Sequence, residues 1–412
     1  MRLVRDRDGD EWDVQLEGRR VRLDRPGAPS RVLRAGSLDD ARATYLAEVD
    51  ARLAEGYAEA PDPATDREAR LVYADELQLR GDPRGELIAV HAELAQLPPG
   101  ADPRHRRRLE NRATALLDEH HDAWFGALAR LVHKPSRKPP AQPVLEVRWR
   151  LGFAEDVRIR GSAQLPIHEV YARLRELPLS RQILRLVIGP PDEGLRPGSR
   201  IYPHTIGPSY EPLVDAMLEH GIPSRLRELV LGDDQSHRRP ALRLGHVPTA
   251  VAAAPALEVL RIVGGHGDLA LASERLRALE LCDVTHDDLV RLAHAALPAA
   301  QELVLRARDR LPPPAVFEVF PALARLTLEG FARAVSGRQS LLEYLLEAMP
   351  RSLSALALPR CGLDDRDLAF LVDHGERFGR LTRLDLRRNR FSGSLAALAK
   401  RRLPALRLSP PG

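Results

Sequence analysis

Four carboxylates crowd the stretch RLVYADELQLRGDPRGELI, Arg70 to Ile88: Asp75, Glu76, Asp82 and Glu86. Close carboxylates can do general acid–base work when burial or a like-charged neighbour drives their pKa values apart. The spacing here points elsewhere. Asp82 stands between Gly81 and Pro83, which is the order of a helix stop, an N-cap and a first helical residue. Asp75 and Glu76 are adjacent on one helix and project in different directions, with Arg70, Arg80 and Arg84 near enough to neutralise them. His120 and His121 lack the i, i+4 spacing that puts two imidazoles on one helix face for zinc. The run GGHGD, 264–268, lacks the Lys-Ser/Thr of a phosphate loop. Neither cysteine, Cys282 or Cys361, has a histidine beside it, and no serine lies in G-x-S-x-G. The expectation is a chain with no catalytic residues, no metal site and no cofactor.

Two basic features remain. RHRRR, 104–108, opens a helix as its solvated side. Arg377 to Arg407 holds ten Lys/Arg against one acid, Asp385. Within it Arg387, Arg388, Arg390, Lys400, Arg401 and Arg402 could attract an anionic partner, either nucleic acid phosphate or an acidic protein face. Phe378 and Phe391 are its only aromatics, so base stacking has little support, and a polar cap on a terminal repeat accounts for the same charges.

The elements that carry these residues follow from the pattern of the whole chain. It has 412 residues, a net charge of +4 and only 4% aromatics, so its apolar fraction rests on Leu, Ala and Val. Two distant cysteines exclude a disulfide framework or a four-cysteine zinc site. No run of about 18 apolar residues occurs and the start lacks an apolar h-region, so the chain is expected to be soluble and cytoplasmic, with no membrane partner. Strand-like runs EWDVQLEG, RRVRLDR and SRVLRAG precede a helix over SLDDARATYLAEVDARLAEGY, 37–57, capped by Ser37. Thr65 and Glu68 form a capping box for a second helix, Asp82-Pro83 starts a third and Asp102-Pro103 a fourth. A Pro-rich basic hinge, KPSRKPPAQP, spans 134–143.

From about Glu155 the pattern L-x-x-L-x-L recurs: ILRLVI at 183–188, LRELVL at 226–231, LEVLRI at 257–262 and LRALEL at 276–281. It continues with AQELVL at 300–305, LARLTL at 323–328, LSALAL at 353–358 and LTRLDL at 381–386, the last running on to Asn389. Each x-L-x-L predicts a short strand with its leucines turned inward. One such unit cannot bury them alone, so neighbours must stack. The longer units carry helix-like segments such as HDDLVRLAHAAL. A long insertion, 189–212, holds Tyr202, His204 and Tyr210, which either meet a ligand or pack the loop down.

These residues carry three resemblances. Trp12, Gly18, the helix opening at Ala41 and Gly56-Tyr57 resemble the bacterial WGR domain, although Asp24-Arg25-Pro26-Gly27 stands where its Trp-Gly-Arg strand is expected. Some members of that family help bind nucleic acid, and the missing signature favours a structural or docking role here. RLVYADELQLRGDPRGELI, HHDAWFGAL and WRLGFAEDVRI resemble the helical companion domain that precedes leucine-rich repeats in many bacterial proteins, with Glu76 where a tryptophan is usual. That family implies architecture and no activity. LTRLDLRRNRF matches the full leucine-rich-repeat consensus.

The resulting expectation is an α/β leucine-rich-repeat solenoid, a horseshoe of the intracellular type with a helical convex side, over residues 147–412. It follows a WGR-like α+β unit (1–60), a helical companion domain (61–132) and a linker (133–146). In such a solenoid the residues between the leucines face the concave surface. The candidates for holding an unidentified protein partner are Arg185, Glu228, Val230, Val259, Arg261, Glu280, Glu302, Val304, Arg325, Thr327, Arg383 and Asp385. The alternative is a nucleic-acid-associated factor using the WGR-like unit and the basic C-terminal repeat.

Overall fold

The computed structural model describes residues 2–5, 10–17, 19–25, 29–37, 40–41, 43–44, 47–48, 51, 58–59, 67–135, 137, 143–161, 165–191, 209–232, 243–264, 267–307, 311–331 and 340–408. The chain divides into two compact units, one of residues 1–197 with 212–226, the other of 198–211 with 227–412. It is a mixed α/β protein whose larger sheet is mostly parallel. Among the described residues no helix is long and apolar enough to cross a membrane. The capping box at Thr65, Gly18, Gly56-Tyr57, Tyr202, His204 and much of the hinge lie outside the described residues.

The first unit opens with an antiparallel sheet in the order β4-β3-β2-β1-β5. Its strands are β1 (Arg2–Arg5), β2 (Asp10–Glu17), β3 (Arg20–Asp24), β4 (Arg31–Arg34) and β5 (Ala58–Glu59). The three strand-like runs correspond to β2, β3 and β4, while the short β1 and β5 carry no alternation long enough to read. Helices α1 (Arg67–Leu79), α2 (Pro83–Gln96), α3 (Pro103–Glu119) and α4 (His121–Phe125) follow.

The punctuation between α1 and α2 is the predicted one. Gly81 takes φ +71°, and its neighbour Asp82 returns its N–H to the Leu77 carbonyl at 2.8 Å. The Asp82 carboxylate then accepts from the Arg84 N–H at 2.9 Å and starts α2. Asp102 does the same for Arg104 at 2.9 Å. Helices α1 and α2 meet at Gly85, where a Cβ would lie 2.5 Å from the Ala74 carbonyl oxygen, so only glycine allows the approach. Leu87, Val90, Ala113 and Leu116 form the core of α2 and α3, with Trp124 and Trp149 against it.

Strands β6 (Leu145–Arg150) and β7 (Phe153–Ile159) pair antiparallel, and β7 pairs in parallel with β8 (Arg185–Ile188). Helix α5 (Ile167–Glu176) lies between β7 and β8 in sequence, and α6 (Glu211–His220) follows. The buried Tyr171 hydroxyl donates to the Gly221 carbonyl at 2.8 Å.

The second unit holds β9 (Glu228–Leu231), β10 (Val259–Val263), β11 (Ala278–Val284), β12 (Glu302–Ala307), β13 (Arg325–Glu329), β14 (Ala355–Ala357), β15 (Arg383–Asp385) and β16 (Leu406–Arg407). Each pairs in parallel with the next in sequence. Every strand from β8 to β15 begins at the third residue of its L-x-x-L-x-L motif. From β9 to β15 the second and third apolar positions of each motif, Leu229 through Leu386, are no more than 2% exposed. Burial of each contributes roughly 1.5–3 kcal/mol. A further copy of the pattern, LPALRL at 403–408, lies beyond the eight motifs and supplies β16.

Parallel neighbours need a crossover, and the described helices α7 (Val247–Ala252), α8 (His286–Leu292), α9 (Ala315–Glu318), α10 (Leu341–Ala348), α11 (Asp365–Asp373), α12 (Gly375–Phe378) and α13 (Gly393–Arg402) occupy all of those connections but the one from β10 to β11. Capping boxes start three of them: Thr285 with Asp288, Ser340 with Glu343 and Asp364 with Asp367.

Candidate functional site

An in-register parallel sheet sets equivalent residues side by side, about 4.8 Å apart, on one face. In the second unit the leucines take one face, so the residues between them line up in rows on the other. The first row runs Glu228, Val259, Ala278, Glu302, Arg325, Ala355, Arg383. The next runs Val230, Arg261, Glu280, Val304, Thr327, Ala357, Asp385, Arg407. Thus eleven of the twelve residues read from the sequence as partner-binding share this face. Val230 and Asp385 are buried on it, and the others are half-buried or exposed. Arg185 stands on β8 of the first unit, paired with Asp156 at 3.1 Å.

A third row was not anticipated: Val263, Cys282, Arg306, Glu329. It follows the last leucine of each motif, one residue beyond the template. It adds three ion pairs to the face. Arg306 reaches Glu280 at 2.6 Å and Glu329 at 2.9 Å, and donates to the Cys282 sulfur at 3.2 Å. Arg261 meets Glu280 at 3.4 Å, and Arg360 meets Glu329 at 3.4 Å. Burial opposes the charge of Arg306, but Cys282, Glu280 and Glu329 outweigh it and hold the guanidinium above its ordinary range. Arg325 and Glu302 form a separate pair at 2.7 Å. Several acids and bases of this face therefore neutralise one another sideways, between strands.

A second repeated feature lies at the end of the strands. The residue two places beyond the last apolar motif position takes a positive φ in five units: Gly264 (66°), Asp283 (59°), Gly330 (86°), Arg360 (55°) and Arg388 (64°). In the last two of these units the next residue turns inward. Asn389 donates to the carbonyls of Leu358 at 2.7 Å and Leu386 at 2.9 Å, and its own carbonyl accepts from the Leu363 N–H at 3.2 Å. Cys361 holds the same place one unit earlier and donates to the Leu328 carbonyl at 3.1 Å.

Most of the described groups with chemical potential have structural partners. Burial pushes the thiols of Cys282 and Cys361 each up to about 11, which keeps them protonated and weakly nucleophilic at neutral pH. Glu86 binds Arg112 through two hydrogen bonds, 2.6 and 2.7 Å. Asp75 is exposed, Asp82 pairs with Arg84, and the side chain of Glu76 lies outside the described residues. His121 is buried, with Nδ1 3.0 Å from Asp122 and Nε2 3.2 Å from the Val132 carbonyl, and the His120 ring lies against Trp124. Tyr210 is fully buried and its N–H binds the Arg243 carbonyl at 2.8 Å, which packs that end of the insertion. Among the described residues no group of three or more His, Cys, Asp or Glu could hold a metal ion.

The six candidate anion-binding residues, Arg387, Arg388, Arg390, Lys400, Arg401 and Arg402, are all exposed. They are not equivalent. Arg387 is committed to Asp385 at 2.7 Å, whereas Lys400, Arg401 and Arg402 form the last turn of α13, where cations complement the helix dipole.

No protein-family model matches the chain, and no curated protein matches it. Among solved structures the chain is similar to the crystal structure of a protein from Bacteroides fragilis, at 13% identity over 99% of this chain and 95% of that one, with a TM-score of 0.45. A likeness of that size says nothing of the function of this chain.

Proposed function

We propose that residues 147–412 are a leucine-rich-repeat solenoid of the intracellular type and that the protein is a non-enzymatic scaffold. The five-stranded N-terminal sheet is read as WGR-like and the helices after it as the repeat-companion domain. The partner is a protein, held on the concave face.

The observation that carries this reading is the set of rows between the leucines. A face of Val, Ala and Thr interrupted by charges, most of which pair with one another, presents apolar surface with little unpaired charge. That combination suits a protein interface, where apolar contacts give affinity and charges give register. The recurrent positive-φ position and the asparagine that bridges two strands support the repeat assignment.

The test must separate recognition from stability, because Arg261 and Arg325 are both ion-paired. Reversal of Arg325 alone would place two acids side by side. The double variant Arg325→Glu with Glu302→Arg keeps the pair and inverts the pattern. It should melt within about 1 kcal/mol of the wild type yet lose the proteins captured by the wild type from native lysate. An unchanged captured set sinks the reading.

The second reading, a nucleic-acid-associated factor, draws on the exposed Lys400, Arg401 and Arg402. Asp385 opposes it, since that carboxylate neutralises part of the same patch.

A further inference from the structure

We propose that the face of β6, β7 and β8 in the first unit carries a binding site for a small oxyanion, a carboxylate or phosphate, with Arg158 as its main ligand. This goes beyond the scaffold reading and does not depend on it.

Strand pairing builds the site. The antiparallel β6–β7 pair sets Glu146 opposite Arg158 and Arg148 opposite Asp156. The parallel β7–β8 pair then sets Asp156 beside Arg185. Directly paired residues share a face, so these five side chains gather on one surface. They line a cavity of about 40 Å³. A site needs roughly 10–15 Å³ of such space for one water, so this one admits a group with two or three heavy atoms beyond the rim.

The charges are unevenly spent. Asp156 lies between two guanidiniums, Arg185 at 3.1 Å and Arg148 at 4.0 Å. Glu146 meets Arg148 at 3.4 Å. Three arginines face two carboxylates, which leaves a surplus of one positive charge. It falls on Arg158, which is half-buried and whose side chain has no ion pair or hydrogen bond among the described residues. Holding a guanidinium part-way out of water without a partner is unfavourable. An oxyanion in the cavity would remove that cost, and the planar guanidinium fork matches a carboxylate or a phosphate through two parallel hydrogen bonds. The two acids on the wall do not forbid it, because their charge is already met by Arg148 and Arg185.

The test is arginine side-chain NMR on the full chain, following Nε–H signals as acetate or inorganic phosphate replaces chloride at constant ionic strength. The expected result is a saturable shift of Arg158 with a dissociation constant on the order of 1–10 mM, while Arg107 on the exposed side of α3 does not move. Arg158→Gln should weaken binding at least about tenfold. Glu146→Gln, which removes a competing acid, should tighten it severalfold. A change that acted only through folding would move both variants the same way. The acetate and phosphate arms separate the two ligand types, and saturation by either supports the site. The proposal is overturned if neither anion saturates, if Arg107 shifts as Arg158 does, or if Glu146→Gln weakens binding.

Discussion

Asp385 shows how one residue can be misjudged from the sequence. As the lone acid in a basic stretch it reads as a surface feature, yet it is 4% exposed and holds Arg383 and Arg387 at 3.2 and 2.7 Å. Burial alone would raise its pKa. Hydrogen bonds from the side chain and backbone of Arg387, and from Arg383, win and bring it down to about 2 from an ordinary 3.8. A carboxylate with a depressed folded pKa stabilises the protein above its unfolded value and loses that contribution as pH falls toward the folded one. The wild type should therefore lose on the order of 1–2 kcal/mol between about pH 5 and pH 2 that Asp385→Asn does not lose. Melting curves of the two proteins across that range check it. Equal slopes would mean the carboxylate is not ionised in place. The missed Arg306 and Glu329 teach a related lesson: the residue after the last leucine lies outside the repeat template, so its alternation of sign went unread.

At the scale of elements the sequence was informative because the constraint is repetitive. A strand that must bury two leucines on one face needs them two apart, and eight motifs each start a strand at the same residue. Gly81-Asp82-Pro83 is equally legible, since few other residues can do those three jobs in that order. Pairing and register were not legible, because lateral neighbours lie about 20 to 30 residues apart and only the assembled sheet brings them together. Asn389 shows what is gained there. Its amide satisfies two carbonyls on adjacent units and one N–H, so it ties the end of β14 to the end of β15. Asn389→Ala would leave three groups wanting partners, at about 1–3 kcal/mol for a buried one. Partial hydration lowers the total, and a loss of about 2–4 kcal/mol in denaturant midpoints is expected, with Asn389→Cys closer to wild type because Cys361 already serves the same slot. A loss below about 0.5 kcal/mol would remove the bridging role.

For the whole molecule the sharpest question is what its positive charge does. The net charge is +4 with a pI near 9.3, but the sheet face of the second unit spends its arginines on its own acids. On the basic C-terminal stretch exposed cations remain to attract a polyanion, although Arg387 is already committed to Asp385. Arg388 is engaged as well, which leaves Arg390, Lys400, Arg401 and Arg402, and each phosphate neutralised on duplex DNA steepens the salt dependence by about 0.9 in log–log slope. Nucleic-acid binding by this patch should therefore show a slope of roughly −3 to −4, and Arg401→Gln with Arg402→Gln should reduce it by about 2. Protein binding on the paired face should change far less over the same salt range, since its charges make no net demand on counterions. Labelled DNA and RNA titrated at about 50 mM salt, where phosphate contacts are strongest, separate the two. No shift there eliminates the nucleic-acid reading, whereas a steep slope that survives the double substitution would move the basic site elsewhere on the chain.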